Sequence, residues 1–246
     1  MIIDAETFVD LPTSHGPMRV HLFIPKNAGK RPGAILYSEI FQVTGPIRRL
    51  AATLAGNGFF VAVPEVYHEF ETAGTVLAYD QTGSDRGNEL KHTKELASYD
   101  EDADVLAKYL AGHELCTGKV GSFGVCLGGH LAVRAGFHPG VSAVVAFYPT
   151  DVHQGSLGAG KNDDTLARFE GEKTPFLFVW GRQDPHVPLE GRRKIAARLD
   201  ETGVEYEWHE FNAAHAFLRD EGPRYNPALA SACIGLLLRF FGEKLG

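Results

Sequence analysis

A cysteine framed by glycines at the end of a short apolar run is the first feature of this sequence that could do chemistry. Lys119-Val120-Gly121-Ser122-Phe123-Gly124-Val125-Cys126-Leu127-Gly128-Gly129-His130 carries a strand-like segment into Gly-x-Cys-x-Gly-Gly and then into a helical pattern. This is the pattern of a nucleophile elbow with sulfur in place of the usual oxygen. Such a turn strains its central residue, and Gly124 and Gly128 remove side chains that would collide with it. A helix starting directly after Cys126 offers unpaired N–H groups that favour negative charge on sulfur, and it places the Leu127 N–H as an oxyanion donor. A free cysteine on its own is more often a small buried hydrophobe, which is how Cys116 and Cys233 read.

An elbow nucleophile needs an imidazole within reach and a carboxylate to orient it, in the chain order nucleophile, acid, histidine. Asp184 lies in Trp180-Gly181-Arg182-Gln183-Asp184-Pro185-His186-Val187-Pro188, directly after an apolar run, where Pro185 and Pro188 stiffen the turn. His215 lies in Asn212-Ala213-Ala214-His215-Ala216-Phe217, after the next such run and between small residues that permit close approach. The blander alternatives are that Asp184 caps the helix that follows and that His215, one of eleven histidines, only packs. His186, His209 and His130 are weaker candidates for the base. No His-Glu-x-x-His or Cys-x-x-Cys spacing is present, so neither a metal site nor a cofactor is expected.

The elements that must carry these residues follow from hydrophobic periodicity. Strand-like runs occur at Met18–Ile24, Gly33–Ile40, Phe59–Pro64, Lys119–Phe123, Ser142–Phe147, Pro175–Trp180 and Glu205–Phe211. Helical spacing marks Pro46–Gly56, Glu95–Gly112, Cys126–Phe137, Glu190–Asp200 and Pro227–Lys244. The alternation predicts an α/β fold, a mostly parallel central sheet with helices on both faces, forming one domain over residues 1–246. Ligand sites in such sheets lie beyond the strands' carboxyl ends. Glu39, Cys126, Asp184 and His215 each follow an apolar run, as that rule demands. The polar segment from Tyr67 to Ser98 reads as a long excursion over the top of the sheet, the kind that shapes substrate access.

Composition excludes several classes. With 44% hydrophobic and 22% charged residues the chain can bury a substantial core, and a net charge of −7 argues against a nucleic-acid partner. Three cysteines without paired spacing suggest neither a disulfide framework nor a zinc cage. The opening residues Met1 to Glu6 lack a basic region followed by an apolar run, and no apolar stretch has membrane-spanning length. A cytoplasmic protein, monomeric or a small homo-oligomer, acting on a small molecule is expected.

Four motifs in register, Ser38-Glu39-Ile40-Phe41, Gly124-Val125-Cys126-Leu127-Gly128-Gly129, Gly181-Arg182-Gln183-Asp184-Pro185 and His215-Ala216-Phe217, resemble the dienelactone hydrolases, or carboxymethylenebutenolidases, over nearly the whole chain. The resemblance implies an α/β-hydrolase fold. It implies that Glu39 contacts the nucleophile and helps form the thiolate when substrate binds, and that Ile40 gives the second oxyanion N–H. It implies that Arg219 grips a lactone's carboxylate. A second arginine is expected shortly after a tyrosine that follows the strand ending at Pro64, but Tyr67-His68-Glu69 puts an acid there. Tyr67 and Arg86 are therefore carried as substrate-binding candidates, Arg86 as the substitute cation. Gln42 stands where relatives commonly have glycine and would narrow the oxyanion side.

The implied activity is cleavage of an activated ester or enol-lactone through a Cys126–His215–Asp184 triad and a thioester. Two other readings stay open at this point: a general carboxylesterase or thioesterase, and a thiol redox sensor or binding protein that does not turn over.

Overall fold

Short apolar runs alternating with amphipathic segments pair their backbones as a parallel sheet only if the connections cross over its faces, and this dictates the architecture. The computed structural model describes residues 6–26 and 29–246. Its strands are β1 (Thr7–Thr13), β2 (Gly16–Phe23), β3 (Arg31–Tyr37), β4 (Phe60–Pro64), β5 (Cys116–Val125), β6 (Ala143–Phe147), β7 (Phe176–Gly181) and β8 (Tyr206–Phe211). They form a sheet in the order β1-β2-β4-β3-β5-β6-β7-β8, with β1, β2 and β4 joined antiparallel and all other neighbours parallel. The helices are α1 (Gly45–Gly56), α2 (Gln81–Thr93), α3 (Leu96–Gly112), α4 (Leu127–Gly136), α5 (Leu189–Thr202) and α6 (Pro227–Leu245). This is the α/β-hydrolase fold. No helix among the described residues is long and apolar enough to cross a membrane.

The period of two along each strand sorts the core into two layers. Ala34, Leu36, Val145, Leu177 and Val179 face a cluster with Ile47 and Leu54 of α1 and Leu237 and Phe241 of α6. Ile35, Tyr37, Val144, Phe176 and Phe178 face the other, with Leu106 of α3, Leu131 of α4 and Ile195 of α5. Both faces are covered, so the parallel strands read as continuous apolar runs.

Two elements escape the periodicity reading. The edge strand β1 alternates polar and apolar residues and contains Pro12, with only Leu11 buried, so it carries little apolar signal. Helix α2 lies inside the Tyr67–Ser98 excursion, which is thus part helix. Its buried residues are Gly83, Gly87, Leu90 and Lys91, a pattern without an apolar stripe. Asp80 caps α2 through a bond from the Gly83 N–H to its side chain at 2.8 Å.

Glycines fix the approach of α4 to the sheet. A Cβ on Gly128 would lie 2.1 Å from the Tyr37 oxygen and 2.5 Å from that of Ser38, and one on Gly124 would lie 2.1 Å from the Gly128 oxygen. These are backbone atoms that cannot rotate away. Gly128→Ala is therefore expected to lose about 3 kcal/mol of stability, the cost of overpacking a site that cannot relax. A urea midpoint equal to that of the wild type would contradict this account of the close packing.

Candidate active site

Strand β5 ends at Val125, and Cys126 turns the chain into α4 with φ 60° and ψ −123°. A non-glycine residue there is strained and needs its neighbours to hold it. The Cys126 N–H donates to the Phe147 oxygen at 3.1 Å, while its own carbonyl accepts from Gly129 at 3.0 Å and Thr150 at 3.3 Å. The thiol is half-buried at the N-terminus of α4, where first-turn N–H groups lack intrahelical partners. Leu127 is the first residue of that helix, and Ile40 lines the cavity beside Cys126.

Asp184 follows β7 and His215 follows β8. The His215 Nδ1–H donates to Asp184 Oδ2 at 2.6 Å, and Asp184 Oδ1 accepts from the His186 N–H at 2.8 Å. Burial opposes charge on His215, but Cys126, when it carries a thiolate, and the Asp184 carboxylate outweigh it and hold the imidazole up to about 10. Burial pushes the Asp184 carboxyl up, and the bond from His215 more than reverses this, leaving it below the usual carboxylate range. The ring is wedged by Tyr148, at 5.0 Å between centroids, and His186, at 4.5 Å. Ala216 takes a positive φ of 59° after it, a turn that a larger side chain would obstruct. Asp184 and His215 are thus joined by a hydrogen bond, and His215 lines the same cavity as Cys126, the three residues coming from three strand ends.

Glu39 is 3% exposed and lies after β3. Its carboxylate accepts a bond from Tyr79 Oη at 3.2 Å, and Arg219 Nη1 stands 3.7 Å from the same oxygen. Burial raises the Glu39 carboxyl above its ordinary range, against the pull of Arg219 and His215. No hydrogen bond joins it to Cys126 among the described residues, so the carboxylate is engaged by Tyr79 and Arg219 rather than by the thiol. Tyr79 is placed by a 2.7 Å bond to Thr44 Oγ1 and carries the Arg219 guanidinium 4.3 Å above its ring. The loop bearing Arg219 is tied to α1 through Arg49, which bonds Asp220 at 2.5 Å and Glu221 at 2.7 Å.

These groups open into a cavity of about 510 Å³, lined by Cys126, His215, Glu39 and Arg219 together with residues that sequence reasoning missed: Tyr79, Lys91, Asp151 and Arg224. His186, a weaker candidate for the base, lines it too and abuts His215 from the solvent side. Tyr67 and Arg86 are not brought there. Tyr67 is fully buried and donates its hydroxyl to the Gly87 oxygen at 3.0 Å. Arg86 bonds Glu71 at 2.7 Å and Glu89 at 2.9 Å, on the side of α2 turned from the cavity. Glu69, in the place of the expected arginine, pairs with the buried Lys94 at 2.6 Å.

Gln42 adopts φ 68°, a backbone that explains glycine at such a position, and its side chain turns inward to accept the Tyr67 N–H at 3.2 Å rather than toward the cavity. His130 is a buried residue of α4 bonded to Thr165, and His209 pairs with Glu207 on β8. The missed residues had one readable signal, Arg224 five positions beyond Arg219; the others sit in polar stretches without a motif.

Comparison with known proteins bears on the family and the fold. The model of the dienelactone hydrolase family matches residues 18–245. A Saccharomyces cerevisiae protein provisionally named carboxymethylenebutenolidase is 42% identical over 98% of this chain and 92% of its own length. A carboxymethylenebutenolidase of a Pseudomonas species is 28% identical over 86% of this chain and 84% of its own. Among solved structures, a provisionally named dienelactone hydrolase from Klebsiella pneumoniae superposes with a TM-score of 0.85 at 23% identity, covering 98% of this chain and 99% of that one.

Proposed function

Because this chain belongs to the dienelactone hydrolase family, we propose that it hydrolyses an activated carboxylic ester or enol-lactone through a thioester on Cys126. The observation that carries the reading is the bonded Asp184–His215 pair meeting Cys126 at a cavity that also holds Arg219. The sulfur attacks the ester carbonyl while the N–H groups of Leu127 and Ile40 receive the developing oxyanion. An enolate leaves, which needs little protonation and suits a sulfur nucleophile. His215, oriented by Asp184, then takes a proton from water as the water attacks the thioester, and returns it to the departing thiolate.

Glu39 and Arg219 couple recognition to this chemistry. A substrate carboxylate that draws Arg219 to itself removes the cation that steadies the charged form of Glu39. A buried carboxylate without its counter-ion becomes a better base, able to take the Cys126 proton. Arg224, on the same cavity, supplies a second cation where the family's arginine is replaced by Glu69, and its field is felt at Glu39 and His186. A general carboxylesterase for neutral esters would have no use for this pair.

Two measurements test the proposal. Rapid acid quench during turnover of p-nitrophenyl acetate, followed by mass spectrometry, is expected to find the acetyl group on the Cys126 peptide; an acyl group on any other residue refutes the thioester. Arg219→Met should lower the ratio of kcat/KM for a carboxylate-bearing enol-lactone over that for a neutral aryl ester by about 10- to 100-fold, the worth of a charged hydrogen bond. An unaltered ratio removes Arg219 from carboxylate recognition.

A further inference from the structure

Lys91 and Asp151 are the charged pair in this cavity that the reaction above does not use. Both are nearly buried, at 8% and 9% exposure, and the ammonium donates to both Asp151 oxygens at 3.0 Å. Burying such a pair brings little or no net stability, because desolvation offsets the attraction. Its location on a cavity wall calls for another reason.

The wall is built with some precision. Ser84, Asn88 and Lys91 follow one another at i, i+4 and i+7, so a single polar face of α2 borders the cavity. Helix α2 can lie that close because Gly87 presses on the loop carrying Ile40; a Cβ there would stand 2.5 Å from the Ile40 oxygen. Opposite α2, Thr150, Asp151 and Gln154 line the cavity from the loop after β6. That loop is tied to the elbow by the bond from the Thr150 N–H to the Cys126 carbonyl at 3.3 Å. Asp151 holds a positive φ of 67°, and its Oδ1 also accepts from Ser156 at 3.1 Å. The position of the pair relative to the nucleophile is therefore set by rigid parts.

Counting donors gives the ligand's chemistry. An ammonium carries three N–H groups. Asp151 takes at most two, and no other acceptor for Lys91 Nζ lies within reach among the described residues. Both Asp151 oxygens, in contrast, already accept from Lys91, and Oδ1 accepts from Ser156 as well. The pair is neutral as a unit and shows one strong donor to the cavity, with the amides of Asn88 and Gln154 beside it. A second carboxylate would meet the field of Asp151; a neutral oxygen would not.

We propose that Lys91, held by Asp151 and flanked by Asn88 and Gln154, is a second recognition point of the cavity that binds a neutral keto or hydroxyl oxygen of the substrate. The assignment rests on the cavity being the ester-hydrolysing site. It makes the preferred substrates oxygenated at two places, with a carboxylate for Arg219 and an uncharged oxygen for Lys91.

The test uses three p-nitrophenyl esters: the pentanoate, its 4-oxo analogue and the adipate half-ester. The wild type is expected to show kcat/KM for the 4-oxo ester above that for the pentanoate. Lys91→Met, and the double variant Lys91→Met with Asp151→Asn that leaves no lone buried charge, should each reduce this preference roughly tenfold, the effect of one lost charged hydrogen bond. Equal rates for the two esters in the wild type overturn the proposal without recourse to any variant. A preference that survives in a variant with a normal thermal melt overturns it as well. Loss of an adipate preference in the Lys91 variants, with the oxo preference intact, shows an anion site and overturns the neutral assignment. Turnover that persists in Cys126→Ala would instead sink the underlying reading, so the two failures are distinguishable.

Discussion

Replacing Cys126 with alanine is expected to lower kcat/KM for p-nitrophenyl acetate by about 10⁴-fold or more while the protein melts within a few degrees of the wild type. The large effect follows from geometry. Cys126 shares the cavity with His215, and in the proposed mechanism the N–H groups of Ile40 and Leu127 receive the oxyanion formed by its attack. The small structural effect has an equally local cause. Cys126 is half-buried, and its turn is held by backbone bonds to Phe147, Gly129 and Thr150 that alanine retains. Initial rates and circular dichroism on the two proteins decide the matter. Residual activity within tenfold of the wild type would mean that Cys126 is only a wall residue, as Cys116 and Cys233 are in the core.

Asp184→Asn carries the second-largest expected effect, a fall in kcat of about 10³- to 10⁴-fold with little change in KM. The carboxylate accepts the Nδ1–H of His215 at 2.6 Å and so leaves Nε2 free to exchange a proton with sulfur or water. An amide turned with its NH₂ toward the ring would instead donate to Nδ1 and place the imidazole proton on Nε2, the wrong tautomer for a base. It would also remove one of the charges that hold the His215 pKa up.

Linkage gives a companion prediction with a definite sign. Asp184 is depressed in the folded protein, so its contribution to stability is present above the ordinary carboxylate pKa and is lost as pH falls through the depressed value. Urea unfolding of the wild type should therefore weaken toward acid more steeply than that of Asp184→Asn. A kcat within tenfold of the wild type, or matching acid profiles, would show that this carboxylate caps a turn and does no more.

The two charged ends of the cavity bear on what such an enzyme selects. Arg219 is pre-positioned by the Tyr79 ring and by Arg49, which holds Asp220 and Glu221, so little side-chain entropy is lost when a carboxylate arrives. The same arginine faces Glu39, so in the proposed mechanism selection of the substrate is tied to the basicity of a group in the cavity of the nucleophile.

The sequence by itself determined the scaffold and the family, and it pointed to residues that the fold gathers at the strand ends. Gly124, Cys126 and Gly128 are legible because an elbow imposes steric demands on adjacent residues, and such demands are local. Asp184 and His215 are legible because a parallel sheet places every strand's carboxyl end on one side, so residues following apolar runs must converge there. Only the tertiary structure decided the walls. Tyr67 became a buried strut and Arg86 faced outward, while Lys91, five residues further along the same helix, met the cavity. Nothing in an α2 sequence without an apolar stripe says which side faces inward. That was settled by the contact of Gly87 with Ile40, a backbone approach between segments distant in the chain, together with the local contact of Gly83 with Ala78. Tyr79 and Asp151 were hidden for the same reason: their side-chain directions depend on long-range packing, which no periodicity records.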